Sequence, residues 1–239
     1  LEEPTKKLGQ ANRADGAEVV ELGTRAIPES EYLYDFSFPR SGGKPNPHLW
    51  TDPPLAKRYA EIVKDDVSKR DPKNADYYDT NYQRFAAQVD ELDAAMRTSF
   101  KTIPNRRLLT YHDAYAYFAK TYDWKVVGAI QVSDFEDPTP KEVASLVGQV
   151  KREKVPAIFG SEVFPSPVLK QIGREADVRY VDVLRDDDLP GEPGEPEHSW
   201  MGLMRFDFIT MTEALDGDAT ALKAVAVGDG VEDKADYPQ

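Results

Sequence analysis

The stretch "RLLTYHDAYAYFAKTYDWKVVGAI", residues 107–130, decides the fold. Its first five residues are β-rich and apolar and predict a strand over 107–111. "DAYAYFAKTY" (113–122) carries its aromatic residues at helical spacing, and "KVVGAI" (125–130) returns to a strand pattern. The same alternation continues downstream. A helix is predicted over 139–153, where Thr139-x-x-Glu142 forms a capping box with Pro140 at the first helical position. Val143, Leu146, Val147 and Val150 make its buried stripe. "PAIFGS" (156–161) is the next strand, 166–176 a helix, and "VRYVDVL" (178–184) a strand. Strands alternating with helices predict a parallel sheet with helices covering it.

After a Gly/Pro-rich loop (185–199), a last helix is expected over 199–215, with Trp200, Met204, Phe208, Met211 and Leu215 on one face. The tail beyond Asp216 is polar and acidic and reads as mobile. Upstream, a long helix is predicted over Ala75 to Lys101, because Tyr82, Phe85, Val89, Leu92, Met96 and Phe100 recur every three or four residues with no Gly or Pro between them. At 1.5 Å per residue it spans roughly 40 Å, long enough to bridge two lobes. Before it, 53–69 reads as a helix with Asp52 as N-cap, Pro53 at N1, and Leu55, Tyr59, Ile62 and Val63 on its buried face. "AEVVEL" (17–22) reads as a short strand and 39–47 as a loop.

The chain has 239 residues, 40% of them hydrophobic, which suffices for a large core. The formal net charge is -13, so there is no basic excess to displace counterions and nucleic acid is not an expected partner. With no cysteine, the sequence excludes disulfides, thiolate metal sites and a cysteine nucleophile.

The sequence holds three histidines. His48 stands before a helix, in "NPHLWTDP" (46–53), and His112 follows a strand. Ligands of open α/β sheets gather beyond the C-terminal ends of strands, which favours His112. Asp113, Glu162 and Asp182 share that placement. Two imidazoles with one or two carboxylates suit Zn²⁺ or Mn²⁺. The spacings are long, and by themselves these residues read first as hydrogen-bonded loop histidines beside helix starts. His198 lies in the acidic loop and reads as a solvated neighbour of a helix cap. Ser161 lacks the G-x-S-x-G elbow of a nucleophilic hydrolase. No phosphate-binding glycine motif occurs, and Asp186 to Asp188 reads as a solvated run without the EF-hand pattern.

"NPHLWTDP", "TYHDAYAYFAKTYDW", "VPAIFGSEVFPSPVLKQIGREA", "YVDVL" and "SWMGLMRFDFITMTEAL" occur in that order. The set resembles the zinc/manganese solute-binding proteins of bacterial ABC transporters, the TroA-like group, over about residues 1–217. The resemblance implies two α/β lobes with parallel sheets flanked by helices, joined by one long rigid helix, with a metal ion in the cleft. It implies a remainder of the N-terminal lobe at 1–74, a linking helix at 75–103, a C-terminal α/β lobe at 104–217 and a polar tail at 218–239. It implies His48, His112 and Asp182 as metal ligands and Glu162 as a residue that orients a ligand histidine. Zn²⁺ or Mn²⁺ would be transported cargo, and the nitrogen-rich ligand set leans to zinc. The implied protein is a monomer outside the cytoplasm, in the periplasm or anchored at the cell surface, that serves an ABC permease and breaks no bond. A metal-dependent hydrolase and a metal-stabilised surface adhesin are the alternatives. The family's first ligand histidine, in a DPHxYEP motif, has no counterpart here. That motif, a secretion signal and any lipoprotein cysteine are expected upstream of Leu1.

Overall fold

The computed structural model describes residues 3–14, 16–130, 139–161, 166–185 and 188–229. Its centre is a four-stranded, all-parallel sheet: β1 (Arg107–Thr110), β2 (Lys125–Ala129), β3 (Ala157–Ser161) and β4 (Arg179–Leu184), in spatial order β2-β1-β3-β4. Each crossover returns through a helix, as a parallel sheet requires. The helices are α5 (Ala116–Thr121), α6 (Pro140–Glu153) and α7 (Pro167–Ala176). The Thr139 capping box forms as the sequence predicts, with both reciprocal bonds present.

The strands bury both faces. Leu108 and Phe159 face one apolar cluster, while their neighbours Leu109 and Ile158 face another. That is the period-two alternation of a strand with oil on either side. α6 and α7 close the second cluster through Val143, Val150, Leu169 and Ile172. The first cluster is closed by α4 (Ala75–Phe100), α5 and α8 (Trp200–Ala214). Phe118 is stacked on Phe208 at 4.9 Å, with Phe100 edge-on to both.

The N-terminal segment contains α1 (Glu3–Asn12), α2 (Leu22–Ala26) and α3 (Pro53–Arg70). α4 runs 26 residues without a break and packs along α3 with its first half and the sheet cluster with its second, where Val89, Leu92, Met96 and Phe100 are buried.

Four expectations are corrected. Residues 17–22 form no strand, because among the described residues no other strand lies beside them to pair with; the chain stays extended and enters α2. The buried face of α3 is Pro53, Ala56 and Ile62, leaving Val63 45% exposed, because α4 packs along one side while Leu55 and Tyr59 turn to a small cluster around Ile27, Leu49 and Tyr117. Asp52 occupies the N-cap position of α3 but its side chain caps nothing there; it is drawn to Thr121 instead. The tail beyond Asp216 carries a folded element: α9 (Thr220–Lys223) folds back, burying Leu222 and Val225 against the α4 and α8 cluster. Gly217 permits that return, since a Cβ there would lie 2.6 Å from Ile103 and 2.9 Å from Thr212.

Candidate metal centre

Two prolines stiffen the segment that carries His48. Asn46 starts it with an Asx turn, its Oδ1 accepting the His48 N–H at 2.9 Å. A 3-10 turn (Leu49–Thr51) then leads into α3. Almost every residue of this loop is tied to the sheet unit. Asn46 Nδ2 donates to the Asp113 carbonyl at 2.7 Å, and the Asn46 carbonyl accepts from the Tyr117 hydroxyl at 3.1 Å. The Trp50 carbonyl accepts from Trp200 Nε1 at 3.0 Å. Thr51 Oγ1 donates to the Ala114 carbonyl at 2.7 Å, and Asp52 Oδ2 accepts from Thr121 Oγ1 at 2.8 Å.

That seat brings His48 against His112. Their Nε2 atoms are 2.9 Å apart, and the rings meet edge to face at 4.7 Å between centroids. Two bare lone pairs cannot face each other at that distance. The gap holds a proton or, in its place, a cation. With metal–nitrogen distances of about 2.0–2.1 Å, two ligands at right angles lie ~2.9 Å apart and two tetrahedral ligands ~3.4 Å apart. The spacing therefore fits two nitrogens sharing one ion.

His48 is only 4% exposed, walled by Phe38 and Trp50 as well as His112. Burial, and then the His112 charge, push its pKa down to about 3, so its imidazole is neutral at any physiological pH. Asp113 does not join the pair. Its Oδ2 accepts from the Ser37 N–H at 3.0 Å, and its carboxyl bonds to that of Asp35. Burial, with the Asp35 carboxyl beside it, pushes the Asp113 pKa up. Asp52 is likewise a buried carboxyl, raised to about 7 by desolvation against the opposing bond from Thr121.

Asp182 is not brought to the histidines. It lies within β4 with its side chain exposed, as does Val183 after it. Both fall where β4 slips register against β3, between the pairs Phe159↔Val181 and Ser161↔Leu184. Such a bulge breaks the strand's alternation and turns the intervening side chains outward. Among the described residues no three His, Asp or Glu side chains group closely enough to hold a metal ion. Glu162 lies outside the described residues, as do Asp186 and Asp187; the acidic run they begin follows the C-terminal end of β4. His198 Nδ1 sits 3.2 Å from the carbonyls of Pro190 and Gly191, consistent with a loop-holding role.

The residues that seat His48 include Asn46, Asp52, Tyr117, Thr121 and Trp200, none of which the sequence marked as functional. The Asn-Pro pair was the available signal for Asn46, since asparagine before a turn accepts from the backbone two residues on. The others become partners only through the fold.

Comparison with known proteins agrees with this arrangement. Residues 1–214 match the family model described as ZnuA, zinc-uptake complex component A, periplasmic. The iron-binding protein YfeA of Yersinia pestis is 29% identical over 197 residues, covering 82% of this chain and 61% of that protein. The high-affinity zinc uptake system protein ZnuA of Bacillus subtilis is 30% identical over 130 residues, covering 54% of this chain and 41% of that protein. The chain thus spans less than two thirds of the length of either relative. Among solved structures, the periplasmic zinc-binding protein TroA from Treponema pallidum superposes with a TM-score of 0.72 at 25% identity, over 90% of this chain and 76% of that one. With a parallel sheet, one long helix and two converging imidazoles, the chain belongs to the ZnuA family.

Proposed function

We propose that this chain is the metal-capturing part of a solute-binding protein, one that binds Zn²⁺ or Mn²⁺ outside the cytoplasm and delivers it to an ABC permease. The observation that carries this reading is the pair of Nε2 atoms 2.9 Å apart, one of them on a histidine almost wholly buried. A neutral, dry, pre-oriented imidazole gives up little to a proton and loses little entropy on binding a cation. The formal charge of -13 favours cation approach. Family membership supports transport rather than turnover, and relatives are named for zinc, manganese and iron. No described helix is long and apolar enough to cross a membrane.

His48 and His112 are the proposed nitrogen ligands. Asp182 is the proposed carboxylate on its family motif, and it is the weaker member because its side chain faces solvent. The working unit is proposed to be a monomer. Titration calorimetry of the chain with Zn²⁺ and with Mn²⁺, repeated on His48→Ala and His112→Ala, tests the site. A stoichiometry of one that is lost in both variants is the expected result. Undiminished binding in both would move the site elsewhere. Metal content of the protein purified from its native host distinguishes zinc from manganese cargo.

A further inference from the structure

The amide of Asn46 sits in an environment that leaves it one orientation. It is fully buried, 0% exposed, so each of its polar atoms must be satisfied by protein. On one side stand two acceptors: the Asp113 carbonyl at 2.7 Å and Asp35 Oδ2 at 2.8 Å. On the other stand the His48 backbone N–H at 2.9 Å and His48 Nδ1 at 2.8 Å. A flipped amide would set its oxygen against a carbonyl and a carboxyl, and its NH₂ against a backbone N–H. The orientation with Nδ2 toward Asp35 and Asp113 is the one that satisfies every group. Oδ1 then faces His48, and an oxygen without a proton must receive one from Nδ1.

We infer that Asn46 is a positioning residue that fixes the tautomer of His48, holding its proton on Nδ1 and keeping the Nε2 lone pair turned toward His112. This rests on the reading of His48 as a metal ligand and adds to it the residue that prepares the ligand. The consequence reaches back one step further. The Asp35 carboxyl and the Asp113 backbone carbonyl anchor the Asn46 amide, so two acceptors behind the loop set the direction of a proton on the imidazole in front of it. Neutral histidine in water populates both tautomers, whereas here one is selected before any ion arrives.

The test uses metal-free protein labelled with ¹⁵N-histidine, and reads long-range ¹H–¹⁵N correlations at pH 7. His48 is expected to show a protonated Nδ1 and an unprotonated Nε2. A proton on Nε2 overturns the proposal. Asn46→Asp keeps an acceptor oxygen toward His48 and, protonated on its other oxygen, a donor toward Asp35 and the Asp113 carbonyl, and is expected to preserve the Nδ1–H tautomer. Asn46→Leu removes it, and is expected to give a mixture of tautomers and a zinc affinity lowered ~10–100-fold, the range for residues that orient metal ligands. A Leu variant that folds and still shows only Nδ1–H also overturns the proposal. If the Leu variant does not fold, the spectra of the wild type and of Asn46→Asp still decide. Nδ1–H with no zinc binding overturns the metal reading alone; Nε2–H with zinc bound overturns the Asn46 assignment alone.

Discussion

Two stretches were expected to supply ligands, and the fold treats them oppositely. Residues 46–52 are loop by secondary structure, yet Asn46, His48, Leu49, Thr51 and Asp52 are buried and the segment is bonded to α5, α8 and the loop that follows β1. Residues 180–184 are strand, yet at the register slip Asp182 and Val183 are exposed. Membership of the sheet and readiness to bind are thus separate properties. A donor atom is prepared by removal from water and by fixed partners, and here the irregular segment has both.

The largest effect in that comparison is expected from His48→Ala, which should lower zinc affinity by more than ~100-fold, beyond what changes in orienting residues cost. Calorimetry reads it, and a loss equal to that of Asp182→Ala would erase the contrast between the stretches.

The next concerns the two titrating groups of the loop, which impose opposite pH slopes. His48 has its pKa depressed to about 3 from 6.5. The unfolded chain binds the extra proton in that window, so the His48 contribution is present above pH 6.5 and is lost as pH falls toward 3. Asp52 has its pKa raised to about 7 from 3.8. Here the folded chain binds the extra proton, so stability falls as pH rises from 3.8 through 7. Asp52→Asn keeps an acceptor for Thr121 and removes the charge. Denaturant unfolding should show the variant gaining on the wild type between pH 4 and 7, by up to ~4 kcal/mol at ~1.4 kcal/mol per pKa unit. A constant difference across that range would mean that Asp52 is ionised throughout.

A smaller effect belongs to the bonds that hold the loop. Trp200→Phe keeps an aromatic ring, though a smaller one, and removes the donor to the Trp50 carbonyl. The expected cost is ~1 kcal/mol in urea unfolding, with faster amide exchange across 48–52. No change in exchange would mean that the loop is held without α8. The smallest effect is that of Asp182→Ala. Stability should move by less than ~0.5 kcal/mol, as for an exposed surface position, and zinc affinity by less than ~10-fold, well short of a buried ligand. A loss matching that of His112→Ala would make Asp182 a ligand equal to the histidines and require β4 to turn inward.

What could be read in the sequence follows the same division. The sheet unit was legible because Leu108, Leu109, Ile158 and Phe159 sit in short apolar runs separated by helical spacing, and Thr139 with Glu142 writes its own cap. The long helix was legible from an uninterrupted period. His48 and His112 could be named but not joined, since 64 residues separate them and only the fold sets their distance. Asp182 could be named but its side chain not oriented, since the register slip against β3 is a property of the pair of strands and not of β4 alone. Asp52 was expected to cap α3, which its position favours; a hydroxyl from 69 residues away won it instead.

The bond from Trp200 Nε1 to the Trp50 carbonyl closes a loop of 150 residues. The segment "NPHLWTDP" precedes its last anchor, on α8, by some 150 residues of chain. Domains assemble as their chain appears, and contacts this distant in sequence form late. The imidazole that begins as a solvated side chain on a nascent loop acquires its dry, oriented form only once the sheet unit behind it is complete. The oriented imidazole is thereby a late product of folding, tied to completion of the sheet unit.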